Sequence, residues 1–204
     1  MIRTDRDADS LIVTIDRPDK AGALTPAMLT ELADIADGAR DAKLLILTGT
    51  GRVFSAGADL DAARAGLATD PVWERLSGAI AACRGLTIAA LNGTAAGGAL
   101  GMVLACDLRI AVAGARFFYP VMKLGFLPQP SDPMRLARLV GPARAKMILM
   151  AGQKIDADTA LGWGLIDRIV PDDALVQTAH DLGVDVCAAA PAHVTAIKRM
   201  IDPA

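Results

Sequence analysis

The sequence has few aromatic residues, cysteines and histidines. Aromatic side chains make up 3% of the 204 residues, so the core must be built from Ala, Leu, Ile, Val and Met. The three cysteines, Cys83, Cys106 and Cys187, lie far apart and form no CxxC pair, which indicates buried, reduced thiols. The two histidines, His180 and His193, have no neighbouring ligands, so we expect no metal site.

Charge is also limited and evenly spread. Hydrophobic residues make up 53% of the sequence and charged residues 22%, a balance typical of folded globular proteins. The net charge is −2 and the basic residues are scattered, so we expect neither a nucleic-acid partner nor a membrane partner. The opening MIRTDRDADS alternates charges, unlike a signal peptide. These features predict a cytoplasmic protein.

One segment, from Gly85 to Cys106, contains no charged residue and is long enough to span a bilayer. It is interrupted by the turn signal Asn92-Gly93 and by further glycines. We therefore interpret it as a buried strand, a turn and a buried helix.

Strand and helix patterns alternate along the whole sequence. Short apolar runs such as SLIVTID, KLLILTG, LTIAALNG and DLRIAVA alternate with segments of helical spacing. This alternation predicts an α/β fold with mostly parallel strands that are covered on both faces. We expect a core domain over residues 1–171, followed by a C-terminal helical region over 172–204 that contains two helices.

Two glycine-containing segments share one design, in which a buried strand runs into small residues and then a helix begins. They are FSAGADL (54–60) and NGTAAGGAL (92–100). Small residues let a ligand approach the backbone, and a helix start leaves N–H groups unpaired. Two such amides that converge would form an oxyanion hole. Close packing of helix on strand would use glycine for the same steric reason. A phosphate site is disfavoured, because neither G-x-x-x-x-G-K-[ST] nor a dinucleotide fingerprint is present.

Five motifs in order carry a resemblance to a known family: RPDKAGAL, LLILTGTGRVFSAGADL, LNGTAAGGALGMVLACDLRIA, LGFLP with RLARLVGPARA, and ALGWGLIDRIV. From about residue 10 to residue 200 the sequence closely resembles the crotonase family, the enoyl-CoA hydratase/isomerase proteins. The resemblance implies a spiral of β-β-α units, acyl-CoA thioester ligands, and assembly as homotrimers or dimers of trimers. It implies no separate cofactor, since coenzyme A is part of the substrate.

The resemblance also implies site residues. The backbone N–H groups of Ala58 and Gly98 would hold the thioester oxygen. The expected substrate contacts are Lys20, Ala21, Ala23, Ala56, Asp59, Leu60, Gly97 and Gln129. Lys20 is interpreted either as a partner of a CoA phosphate or as a surface lysine in a turn.

The sequence departs from the family at the acid–base positions. Hydratases of the family carry two glutamates, and Gly101 and Val121 stand at those positions here. Other members use an aspartate where this sequence has Gln129. The nearest carboxylate is Asp132, interpreted as a catalytic group or, preferably, as the N-cap of the helix over PMRLARL. Weaker catalytic candidates are Asp61, expected on an exposed helix, and Tyr119, expected to pack.

The resulting prediction is an enzyme of the enoyl-CoA hydratase/isomerase type that stabilises a thioester enolate and is weak as a hydratase. The alternatives are a non-catalytic acyl-CoA binder and a subunit kept only for assembly. The family commonly has further helical turns after the region matching AIKRMI, whereas this sequence ends at Pro203-Ala204. We therefore expect a shortened C-terminal region and a more open acyl pocket.

Overall fold

The computed structural model of the protein describes residues 1–7 and 9–201. The strands are β1 (Ile2–Arg6), β2 (Ser10–Ile15), β3 (Leu44–Gly49), β4 (Val53–Ser55), β5 (Leu86–Leu91), β6 (Thr94–Ala96), β7 (Leu108–Val112), β8 (Arg116–Phe118), β9 (Ile155–Asp156) and β10 (Arg168–Val170). The α-helices are α1 (Pro26–Gly38), α2 (Leu60–Arg64), α3 (Val72–Ala81), α4 (Ala99–Leu104), α5 (Val121–Leu124), α6 (Asp132–Val140), α7 (Pro142–Leu149), α8 (Ala157–Trp163), α9 (Leu175–Leu182), α10 (Val184–Ala188) and α11 (Pro191–Ile201).

The strands form two sheets. The larger has the order β1-β2-β3-β5-β7-β10, in which β1 is antiparallel to β2 and the other pairs are parallel. The smaller has the order β4-β6-β8-β9. Strands β3 and β5 are buried along almost their whole length, because helices cover both faces of a parallel sheet.

The chain passes from one sheet to the other in three successive units. Each unit is a strand of the large sheet, a short strand of the small sheet and a helix: β3-β4-α2, β5-β6-α4 and β7-β8-α5. The expected α/β class and the spiral of β-β-α units are therefore confirmed. The ends of β4 and β6 are brought together by this arrangement, because the two strands pair in parallel.

Several short elements were not predicted. Strand β1 has one buried residue, Ile2, and four exposed ones, so the segment shows no alternation of apolar and polar residues. Strand β6 is three residues long, and all three are small. It lies between the predicted turn at Asn92-Gly93 and the predicted helix of the uncharged segment 85–106. Gly183 divides α9 from α10, so residues 172–201 contain three α-helices where two were expected for the C-terminal region.

The hydrophobic core contains residues of both sheets and of the helices that pack on them. Helix α1 begins after Thr25, whose side chain accepts a 3.3 Å hydrogen bond from Met28 N, with Pro26 in the first turn.

No helix in the described part of the chain has both the length and the apolar character that a bilayer crossing requires. The domain boundary at residues 171–172 stays a prediction, and residues 202–204 of the predicted C-terminal region lie outside the described residues.

Candidate functional site

Two backbone segments meet directly after β4 and β6. Gly57 follows β4 with φ of +92°, and a Cβ atom on it would lie 2.9 Å from the Ala96 carbonyl oxygen and 3.5 Å from Gly98 N. Only glycine permits both this conformation and this approach. The glycine of FSAGADL therefore brings residues 57–58 against residues 97–98.

The N–H group of Ala58 points away from its own pairing partner. Leu24 N donates to Gly57 O at 2.8 Å, and Asp59 N donates to Leu24 O at 2.8 Å. Because successive N–H groups of an extended chain point to opposite sides, the Ala58 N–H faces away from Leu24. The Ala58 N–H donates no hydrogen bond to any residue that the structure describes.

The second amide belongs to Gly98, the residue before α4. Gly97 has φ of +56° and donates its N–H to Phe118 O at 3.1 Å, which orients the turn. The N–H of Gly98 has no acceptor among the described residues, as is usual at a helix start. The two unpaired amides, Ala58 and Gly98, thus lie on adjacent segments whose side chains are small. Such a pair can stabilise a carbonyl oxygen that gains negative charge.

The predicted contact segment 20–24 lies beside residues 56–59. Ala56 N donates to Ala21 O at 3.0 Å. Ala21 has φ of 51°, the single left-handed conformation among the described non-glycine residues. The structure therefore brings Ala21, Ala23, Ala56 and Asp59 close together.

Arg17 links the segment 20–24 to the segment 56–59, a role that was not predicted. Its Nη1 donates to Ala23 O at 2.8 Å and to Asp59 Oδ2 at 3.0 Å. Asp59 Oδ1 also accepts from Asp61 N at 3.2 Å, so Asp59 caps α2. The one signal that could have indicated Arg17 is its place as the first residue of RPDKAGAL.

The remaining predicted contacts differ in exposure. Lys20 is exposed, and Leu60 is 75% exposed at the start of α2. Gln129 is buried, and its side-chain amide donates to Ala68 O at 3.3 Å, which ties the loop after α5 to the turn before α3. Asp61 is exposed and pairs with Arg64 at 3.0 Å, as expected for the first turn of a surface helix.

The expectation that Asp132 caps its helix is wrong. The N-cap residue of α6 is Ser131, and Asp132 is already the first helical residue. Ser131 donates its N–H and hydroxyl to Glu74 Oε2 at 3.3 and 3.1 Å, which anchors the start of the helix. The Asp132 side chain is therefore free to turn inward, and it is 1% exposed.

The Asp132 carboxylate lies between Tyr119 and Gly101. Tyr119 is buried, as expected, and its hydroxyl donates to Asp132 Oδ2 at 3.0 Å. A Cβ atom on Gly101 would lie 2.7 Å from Oδ1 and 2.9 Å from Oδ2. The carboxylate thus fills the space that a side chain at position 101 would need. Val121, the other position where the resemblance implies a glutamate, is buried at the start of α5.

The surroundings of Asp132 change its acidity. Burial raises the pKa of the carboxyl to about 6, although the hydrogen bond from Tyr119 and the charge of Arg135 act to lower it. Burial and the neighbouring Asp132 raise the pKa of Tyr119. At neutral pH Asp132 is thus mainly a carboxylate that can accept a proton, and Tyr119 is a neutral hydrogen-bond donor.

Known proteins resemble this chain over nearly its whole length. The sequence profile of the Enoyl-CoA hydratase/isomerase family matches residues 6–204. A carnitinyl-CoA dehydratase from Citrobacter koseri is 36% identical over 93% of this chain and 76% of its own length. A probable enoyl-CoA hydratase from Mycobacterium bovis is 36% identical over 88% of this chain and 72% of its own length. The solved enoyl-CoA hydratase of Bacillus anthracis has a TM-score of 0.91 at 30% identity, covering 99% of this chain and 82% of its own. The chain therefore belongs to the enoyl-CoA hydratase/isomerase family.

Proposed function

We propose that this protein binds an acyl-CoA thioester and stabilises its enolate at the N–H groups of Ala58 and Gly98. The observation that carries the proposal is the pair of unpaired backbone amides that Gly57 brings onto adjacent segments. The thioester oxygen would accept both N–H groups, and the negative charge that develops on it would be held by fixed donors.

Residues beside the amides would contact the rest of the ligand. Backbone and small side chains at Ala21, Ala23, Ala56 and Gly97 leave room for a ligand close to the main chain. Asp59 would contact the ligand through its backbone, since its carboxylate is engaged by Arg17 and by the start of α2. Coenzyme A arrives with the substrate, so the proposal needs no separate cofactor.

Three further residues complete the proposed set. Lys20 and Leu60 are exposed, so Lys20 is available to a phosphate of the ligand and Leu60 to its apolar parts. Gln129 would act on the ligand indirectly, because its amide holds the turn at Ala68.

The proposed reaction is of the hydratase or isomerase type and proceeds through the enolate. The similar proteins are named as a dehydratase, a hydratase and hydratase/isomerase proteins. Positions 101 and 121 bear no ionisable side chain, so isomerisation or slow hydration fits better than fast hydration. The same observation favours the second candidate, a non-catalytic acyl-CoA binder.

We also propose that the chain works as a homotrimer or a dimer of trimers in the cytoplasm. Support for self-association comes from exposed apolar side chains on α5 and the loop after it, namely Met122, Leu124 and Leu127. Contiguous exposed apolar surface is typical of a protein interface.

The test of binding is thermal unfolding in the presence of short, medium and aromatic acyl-CoAs, with free coenzyme A as the control. Ligand at a hundredfold excess over Kd stabilises the folded state by about 2.7 kcal/mol. We expect the melting temperature to rise with at least one thioester, and to rise more than with free coenzyme A. No rise with any member of the panel would contradict the proposed function.

A further inference from the structure

The contact between Asp132 and Gly101 places a carboxylate beside the proposed oxyanion site. Gly101 N donates to Gly98 O at 3.1 Å. Gly98 directly precedes α4, and Gly101 lies in the first turn of this helix. One turn of helix rises about 5.4 Å. The carboxylate therefore lies against a residue that is about one helical turn along the chain from the Gly98 amide.

One oxygen of this carboxylate has no partner. Asp132 Oδ2 accepts the hydroxyl of Tyr119, whereas Oδ1 is buried and has no hydrogen bond to any residue in the described ranges. A buried polar atom without a partner costs stability, and a charged one costs more. Oδ1 is also the atom nearest to the position of a Cβ atom on Gly101. It is thus an acceptor directed at the turn that carries the Gly98 amide.

The charged and titratable neighbours of this carboxylate are few. Tyr119 approaches from the end of β8, Glu74 from α3 and Arg135 from the next turn of α6. Helix α4, which packs on α6, contains no charged residue. The carboxylate is not needed to anchor the start of α6, because Ser131 and Glu74 hold that end of the helix.

We propose that Asp132, oriented by Tyr119, is the proton-transfer group of the acyl site. Its carboxylate acts from the space that it occupies because residue 101 is a glycine. This inference rests on the proposed binding of the thioester oxygen at Ala58 and Gly98. Asp132 Oδ1 takes the proton from the α-carbon of the acyl group. The C–H electron pair forms the C=C bond of the enolate, and the negative charge moves to the thioester oxygen at the two N–H groups. Return of the proton from Asp132 to the α-carbon reverses both changes.

The test measures exchange of the α-proton of butyryl-CoA in D₂O, followed by mass spectrometry. Butyryl-CoA is saturated, so exchange requires only the enolate and a base. We expect the parent protein to incorporate deuterium at the α-carbon. We expect Asp132→Asn to bind butyryl-CoA in calorimetry but to exchange at least about 100-fold more slowly. The matched control is Asp158→Asn, since Asp158 also lies in the first turn of a helix but is exposed.

Tyr119→Phe gives a second, independent measurement. The tyrosine hydroxyl stabilises the charged form of Asp132, so its loss should move the midpoint of the pH–exchange profile to higher pH. A purely structural role for Tyr119 would change the rate without moving the midpoint. If the midpoint of the pH–exchange profile is the same in Tyr119→Phe as in the parent, the proposed action of Tyr119 on Asp132 is refuted.

The remaining outcomes separate the two proposals. If butyryl-CoA binds to the parent but Asp132→Asn exchanges as fast, the role of Asp132 is refuted and the binding site stands. Binding without detectable exchange in the parent refutes it as well. If the folded parent does not bind butyryl-CoA or any other acyl-CoA, the proposed function itself fails.

Discussion

The indole ring of Trp73 lies against the Cα atom of Gly98. A Cβ atom at position 98 would approach three ring carbons at 3.1 Å, closer than normal van der Waals contact. The ring is 4% exposed, and its Nε1 donates to Leu67 O at 2.8 Å, so it is held in place. Trp73 thus supports the turn that presents the Gly98 amide, and a Cβ atom at position 98 would require the ring or the turn to shift by a few tenths of an ångström.

Gly98→Ala should therefore weaken acyl-CoA binding while the protein stays folded. Overpacking typically costs about 1–3 kcal/mol. If that cost fell on binding, Kd would rise roughly 5- to 150-fold. Calorimetry with the best ligand of the acyl-CoA panel measures the change. The control is Gly114→Ala, because a Cβ atom at Gly114 meets no atom within 4 Å. Equal affinity of the two variants would show that the ligand does not use the turn at Gly98.

Gly98→Pro should abolish acyl-CoA binding more completely than Gly98→Ala. Gly98 has φ of −59°, which proline adopts without strain, and its N–H has no acceptor among the described residues. Proline thus adds bulk, as alanine does, and also removes one of the two proposed donors. Loss of one oxyanion donor typically costs about 2.7–4 kcal/mol in the transition state, which is an upper bound for the loss in binding of the uncharged thioester. The difference between the two variants, measured in the same binding assay, reports the loss of the N–H group together with the added ring carbons of proline. A folded Gly98→Pro variant that binds as well as the alanine variant would show that the hole lies elsewhere.

Hydration of crotonyl-CoA should be slower by several powers of ten than in a relative that carries both glutamates. Each positioned acid–base group contributes roughly 10²–10⁴-fold, and such effects are not strictly additive. The assay follows the loss of thioester absorbance. Turnover at the rate of the glutamate-bearing relative would show that another group, with Asp132 the first candidate, activates water.

Glutamate at position 101 should not restore hydration by itself. Its Cβ atom would lie 2.7 Å from Asp132 Oδ1, so the new side chain and Asp132 compete for one space. The double variant Gly101→Glu with Asp132→Gly removes the competing carboxylate. We expect the double variant to hydrate crotonyl-CoA faster than Gly101→Glu alone. A single variant that is as active as the double one would contradict the steric exclusion.

The main features of the fold follow from local patterns, whereas the environment of Asp132 does not. Strands β3 and β5 are uninterrupted apolar runs, and FSAGADL and NGTAAGGAL carry their turn signals within a few residues. The position of Asp132 depends on a contact with Gly101 across two helices that are distant in sequence. The local sequence, an aspartate before PMRLARL, favours an N-cap, and only the tertiary contacts of Ser131 with Glu74 shift the helix start. Arg17 was missed for the same reason, since its partners become neighbours only in the folded chain.

Stability should depend on pH through Asp132. Its pKa rises from the usual 3.8 to about 6 on folding. Below 3.8 the carboxyl is protonated in both states and contributes nothing. Between 3.8 and 6 the folded protein binds more protons than the unfolded chain, so the free energy of unfolding falls as the pH rises. Above 6 the full cost is present, roughly 3 kcal/mol for this change in pKa.

Asp132→Asn should remove that cost, because the amide carries no charge and can still accept the Tyr119 hydroxyl. We expect the variant to be more stable than the parent at pH 7 by up to about 3 kcal/mol, with the gain vanishing as the pH approaches 3.8. Urea unfolding between pH 4 and pH 7.5 measures this, with Asp158→Asn as an exposed control that should show no such trend. A variant less stable than the parent at neutral pH would mean that the folded protein stabilises the charged carboxylate. A variant that gains stability and loses α-proton exchange would show that this carboxylate serves the chemistry of the site at the expense of the fold.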